Sequence, residues 1–149
     1  MNTTTMSKPS LTLKRRIKAS PEKVYAAFTD PVVMRQWWGP SADYKILLAE
    51  ADVRVGGRFR VIMQDPSGEK DDVSGTYKEV VENEKLVFSW AWITTPERES
   101  LVTATITKTD DGSMLTLYHS QFFDEAARDG HNQGWSGALD KLEALFATP

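Results

Sequence analysis

Between Ser41 and Gln121 the chain alternates apolar and polar residues in six short runs, and one long amphipathic stretch follows to cover them. A period of two marks strands with one buried face. The runs are YKILLAEADVRV, GGRFRVIMQD, DDVSGTYKEVVE, LVFSWAWI, LVTATITK and SMLTLYHSQF. Gly56-Gly57, PSGEK, NEK, TTPERES and DDG separate them. Connections this short join antiparallel neighbours, so the spacing predicts a meander. The last stretch, DEAARDGHNQGWSGALDKLEALFAT, reads as a single helix. On it Asp124, Ala127, His131, Trp135, Ala138, Leu142 and Leu145 share one face, with Leu139 and Phe146 beside them. Gln133, Ser136, Asp140 and Ala144 lie opposite.

Upstream, LTLKRRI supplies a seventh strand from Leu11. Ser20-Pro21 and Asp30-Pro31 each pair a capping side chain with a proline at the first helical position. They predict two short helices, the second closed by Gly39-Pro40. The expected order is β–α–α–six β–α. The polar opening, residues 1–10, is expected to be mobile, and residues 11–149 to form one domain. The 149 residues fit one domain better than two.

Strand alternation assigns the faces. One sheet face carries Leu86, Phe88, Trp90 and Trp92, then Leu115, Leu117 and His119, then Phe59, Val61 and Met63, and then Val102, Ala104 and Ile106. Tyr77 points to the same side and Tyr118 away from it. A helix about 10 Å wide cannot cover seven strands spaced about 4.8 Å apart. The sheet must therefore curl around the helix, with the two short helices plugging an end. A curled sheet gripping one helix leaves a cavity. Trp37 and Trp38, side by side in DPVVMRQWWGP, are expected at its rim, the alternative being that both rings fill core volume. Gly130, Gly134 and Gly137 each cost about 1 kcal/mol relative to Ala in a helix interior. Gly134 falls on the inner face, where a missing side chain leaves room.

The residues expected to line this space are Trp37, Trp38, Phe59, Tyr77, Phe88, Trp90, His119, His131 and Trp135. The two histidines are the polar handles, with Tyr77 as a third. They would meet a ligand's polar head, act as acid and base, or be core groups satisfied by partners. A metal would need a third ligand such as Asp124, so neither a metal nor a cofactor is expected. Glu50 and Asp52 share a strand face across a hairpin from Arg54, Arg58 and Arg60, which predicts ion pairs rather than a carboxylate site. Arg128 lies one turn from Asp124 and is placed to pair with it.

Other classes are disfavoured by composition. A net charge of −3 argues against nucleic acid or an anionic membrane as partner. With no cysteine, disulfides, thiolate metal sites and cysteine nucleophiles are excluded, which fits a reducing, cytoplasmic setting. No Ser-His-Asp order and no phosphate loop is present. No apolar run approaches the roughly 20 residues of a membrane span. Apolar outer-face residues, Val87, Ala91 and Ile93, permit a homodimer as readily as a monomer.

The stretches FTDPVVMRQWWGP, DVRVGGRF, GTYKEVVENEKLVFSW, SLVTATIT, GSMLTLYHSQF and HNQGWSGALDKLEAL occur in the order found in a known family. The chain resembles the family named after the activator of the heat-shock protein 90 ATPase, of the START-like helix-grip superfamily. The likeness runs from about Leu11 to Phe146. It implies an α+β fold, with a curved seven-stranded antiparallel sheet around a long C-terminal helix and a cavity between them. The co-chaperones that named the family carry a further N-terminal domain. This chain begins its first strand at Leu11, so none is expected here. Three functions remain open. The chain binds a hydrophobic or amphipathic small molecule, or it stimulates an Hsp 90 ATPase, or it works as a cyclase- or hydrolase-like enzyme in the same cavity.

Overall fold

Alternating runs become strands and capped runs become helices, in the expected order. The computed structural model describes residues 8–147. Along the chain lie β1 (Leu11–Ile17), α1 (Pro21–Thr29), α2 (Pro31–Trp37), β2 (Lys45–Ala51), β3 (Arg58–Gln64), β4 (Lys70–Val81), β5 (Lys85–Trp92), β6 (Ser100–Thr109), β7 (Gly112–Ser120) and α3 (Glu125–Leu145). Most of the opening expected to be mobile lies outside the described residues. Within them, Pro9 already accepts a backbone hydrogen bond from Phe122 at 3.1 Å.

The sheet has the order β1-β7-β6-β5-β4-β3-β2, antiparallel throughout. β2 to β7 form the meander, and β1 returns to pair with β7, Leu11 opposite His119 and Ile17 opposite Ser113. The sheet curls as a half-barrel around α3. On β4, Gly75 allows a close approach to β5 and β3, since a Cβ there would run into the Ser89 carbonyl and the Phe59 ring. Ser89 turns its hydroxyl back to accept from Thr76 N–H at 2.8 Å, which satisfies that backbone donor.

Local chemistry sets the helix ends. The Ser20 hydroxyl accepts from Lys23 N–H, and the Asp30 carboxylate accepts from Val32 N–H at 3.0 Å. Each is followed by a proline at N1. Asp124 corrects the helical wheel. It precedes α3 as its N-cap, exposed, with its carboxylate accepting from Ala127 N–H at 2.8 Å. It is therefore neither an inner-face residue nor near the histidines as a ligand. Arg128 likewise bonds Asp129 at 3.0 Å and approaches Glu125 at 3.9 Å rather than Asp124.

The core is the concave face expected from alternation. Val61, Val73, Val102, Leu115 and Leu117 are wholly buried, and Leu139 and Leu142 of α3 meet them. On β1, Arg15 fastens the far half of α3 by donating to Asp140 at 2.7 Å and to Glu143 at 2.6 Å. On the convex face Arg60 forms a two-pronged pair with Asp72 of β4, although Glu50 is its register partner on β2. Arg54 pairs with Asp52, and Arg58 donates to the hydroxyls of Thr76 and Ser74.

Candidate functional site

The adjacent tryptophans part company. Trp37 ends α2 with its ring turned into the core, 0% exposed, and its indole N–H donates to the Ala27 carbonyl of α1 at 2.7 Å. Phe28 meets it edge-on at 5.0 Å. It fastens the two short helices together. Trp38, the next residue and already extended, meets Trp37 edge-on at 5.8 Å but continues toward the sheet and α3. Its ring stacks on Trp90 at 5.8 Å and meets Trp135 at 6.0 Å and Phe59 at 6.1 Å.

Trp38 borders a cleft of about 450 Å³. Its walls are the first half of α3, the end of β5, the start of β4 and the Trp38–Pro40 loop. Trp38, Trp90, Trp92 and Trp135 make the aromatic wall, and Ala127, Gly130, His131, Gly134 and Ala138 make the helical one. Of the nine residues expected to line the space, Trp38, Trp90, His131 and Trp135 do so. Trp37, Phe59, Tyr77, Phe88 and His119 are in the buried core behind it. Phe59, Tyr77 and Phe88 pack on one another at 5.1–5.9 Å, and burial pushes the Tyr77 hydroxyl pKa up. Ile93, expected on the outer face, stands exposed at the rim of the cleft.

Three indoles and two histidines share one hydrogen-bond network. The Trp135 N–H donates to His119 Nδ1 at 3.0 Å. The remaining ring proton therefore sits on Nε2, 2.7 Å from the Ser100 hydroxyl, which donates onward to the Trp90 carbonyl at 3.3 Å. His131 adopts the other tautomer. Its Nδ1 is 2.7 Å from the Ala127 carbonyl, which can only accept. Its Nε2 lone pair is left for two donors, Trp92 N–H at 3.0 Å and Trp90 N–H at 3.3 Å. Both rings are thus neutral acceptors. Burial, with His131 beside it, lowers the His119 pKa to about 2. Burial also lowers that of His131, against the opposing hydrogen bond to Ala127. The rings lie 5.2 Å apart, so a proton on either would disfavour one on the other.

The remaining cleft tryptophan has no such partner. Among the described residues, the Trp38 indole nitrogen is the one buried side-chain polar atom without a hydrogen bond. Its loop is held firmly all the same. Lys141 of α3, its pKa lowered by burial, donates from Nζ to the carbonyls of Trp38 at 2.9 Å and Ser41 at 3.1 Å. The third helix glycine explains the close approach of loop to helix, since a Cβ on Gly137 would strike the Pro40 carbonyl. The other two differ. A Cβ on Gly134 would meet only the Pro40 ring edge at 4.0 Å, and one on Gly130 would meet no atom within 4 Å.

Residues 18–147 match the family model described as activator of Hsp90 ATPase homolog 1-like protein. The chain belongs to this family. Among solved structures of the same architecture, a protein of Chromobacterium violaceum is 26% identical with a TM-score of 0.84, the alignment covering 95% of this chain and 99% of that one. The AHSA1 protein of Silicibacter pomeroyi is 27% identical with a TM-score of 0.79, covering 93% and 98%. A protein of Nitrosomonas europaea, 24% identical with a TM-score of 0.77 over 91% and 92%, shares the fold. No curated protein matches. This AHSA1-like chain has the START-like helix-grip architecture, and among its described residues no helix is long and apolar enough to cross a membrane. Nor do any three His, Asp or Glu side chains among them converge to hold a metal ion.

Several cleft residues were outside the sequence expectation: Trp92, Met63, Pro40, Gly130 and the β4 carboxylates. The signal for Trp92 was present, because the alternation that turned Trp90 inward turned Trp92 inward too. Asp71 shares parity with Val73 and so faced the same side, although its charge argued for solvent.

Proposed function

We propose that this AHSA1-like protein binds a hydrophobic or amphipathic small molecule in the cleft between α3, β4 and β5. The observation that carries the reading is the pair Gly130 and Gly134. Each weakens α3 by about 1 kcal/mol relative to Ala. No neighbouring atom within the fold requires either, and both border the aromatic cleft. A ligand lying close against the helix backbone accounts for them. The volume falls within the roughly 300–1,000 Å³ usual for ligand pockets. The unpartnered Trp38 N–H supports the same reading, as a buried donor that a ligand acceptor would satisfy.

The histidines favour binding over turnover. Every ring nitrogen already has a partner, and neither ring is left as a general base. The test is native mass spectrometry of freshly purified protein, beside a Gly134→Leu variant whose side chain would occupy the cleft. The natural chain is expected to carry a dissociable apolar compound and the variant none. Equal occupancy in both, or none in either, refutes the reading. A chaperone partner, which the family's name implies, would engage the surface. Gly134→Leu would then leave any stimulation of a chaperone ATPase intact.

A further inference from the structure

The rim of the cleft is acidic on one side. Asp43, Asp65, Glu69 and Asp71 all surround Tyr44, whose hydroxyl pKa is raised by its burial and by these carboxylates. Of the four, Glu69 and Asp71 border the cleft itself. Lys70 and Asp72 border the cleft as well, but alternation along β4 directs their side chains toward the convex face, where Asp72 meets Arg60 at 2.7 Å. It leaves Asp71 on the concave face with Val73, opposite Met63. Among the described residues neither Glu69 nor Asp71 has a cationic side chain within ion-pairing distance. Lys141, a half-buried cation of α3, is committed to two backbone carbonyls.

An unpaired, half-buried carboxylate on an apolar concave face is a standing cost. Burial raises the Asp71 pKa, and the charges of Glu69 and Asp65 raise it further. Asp65 cannot relieve this by taking up a proton easily, because the Ser67 hydroxyl and turn N–H groups hold its charge in place. The rings of Trp38, Trp90, Trp92 and Trp135 line the same cleft as these carboxylates. Indole faces attract a cation more strongly than any other side-chain ring. No set of three ligands converges among the described residues, so the site does not suit a bare metal ion. Independently of the charges, Trp38 supplies a buried N–H that still lacks an acceptor.

We propose that the cleft selects an organic cation, its apolar body against the indoles and its ammonium group at Asp71 and Glu69. The inference rests on the small-molecule reading above and adds the charge of the occupant. An acceptor atom on the same molecule would meet the Trp38 N–H.

The test uses three probes of similar size, 4-phenylbutylamine, 4-phenylbutanol and 4-phenylbutyrate, titrated into the full chain at neutral pH with tryptophan fluorescence as readout. The amine is expected to bind about tenfold more tightly than the alcohol, with the carboxylate weakest. In the Glu69→Gln/Asp71→Asn double variant the amine is expected to lose that advantage while the alcohol's affinity stays unchanged. Both substitutions keep side-chain shape and remove like-charge repulsion, so the fold should persist, which far-UV circular dichroism verifies. If the alcohol or the carboxylate matches the amine, or if the double variant binds the amine as before, the charge selectivity is wrong and the small-molecule reading survives. If none of the three binds, both fall.

Discussion

His119 and His131 are two histidines with opposite tautomers and one common task, which is to accept the N–H groups of three tryptophans. Each ring filled a place where an apolar residue would leave a buried donor unmet. His119→Ala strands the Trp135 N–H and the Ser100 hydroxyl and opens a cavity, and should cost about 3 kcal/mol by denaturant unfolding. His131→Ala, at a partly buried position beside the cleft where water can replace the ring, should cost only about 1 kcal/mol. The pH dependence has a definite sign. Both histidines have folded pKa values below the ordinary 6.5, so in the window beneath it the unfolded chain binds more protons. Stability is therefore full above that pH and falls as pH drops, by roughly 1.4 kcal/mol per unit for a histidine held as neutral as His119. Thermal melts at pH 7 and pH 5 should differ accordingly, and the difference should shrink in His119→Phe. An unchanged melting midpoint would mean that the histidines are not held neutral.

At the level of elements, α3 is one helix under two demands. Its second half is clamped, with Arg15 reaching Asp140 and Glu143, Lys141 tying down the Trp38 loop, and Gly137 seated against the Pro40 carbonyl. Its first half borders open space. The same substitution should then have opposite effects two turns apart. Gly130→Ala, with nothing near its Cβ, should stabilise the protein by about 0.5–1 kcal/mol. Gly137→Ala gains the same helix propensity but forces helix and loop apart, and should cost about 1–3 kcal/mol net. Urea denaturation of the two variants decides the matter. Equal shifts would show that Gly137 answers only to propensity.

Over the whole molecule the five tryptophans are joined in one chain of ring contacts: Trp37 to Trp38, Trp38 to Trp90, and Trp90 to both Trp92 and Trp135, at 5.1–5.8 Å. That chain links the short helices, the middle of the sheet and α3. Tryptophan fluorescence should therefore report the entire fold, and its urea transition should coincide with that of far-UV circular dichroism. Separate midpoints would mean that helix and sheet come apart in steps.

Backbone periodicity and cap chemistry are local properties, and they were readable in the chain: seven strands, two capped short helices, one long helix, and a curl forced by the mismatch of widths. Residue parity then told which side Trp90, His119 and Tyr77 would face. It could not tell depth. Trp37 and Trp38 are neighbours in sequence, yet the helix ends between them, so one ring seals the core and the other walls the cleft. His119 and His131 both point inward and both pack on Phe122, at 4.2 and 4.9 Å, but the first is wholly buried whereas the second borders the cleft beside Gly130 and Gly134. Asp124 had helical spacing but stands one residue before the helix, as its cap. Which partner a donor finds, and which inward residue meets empty volume, depends on elements far apart in the chain arriving together. Only tertiary packing decided that.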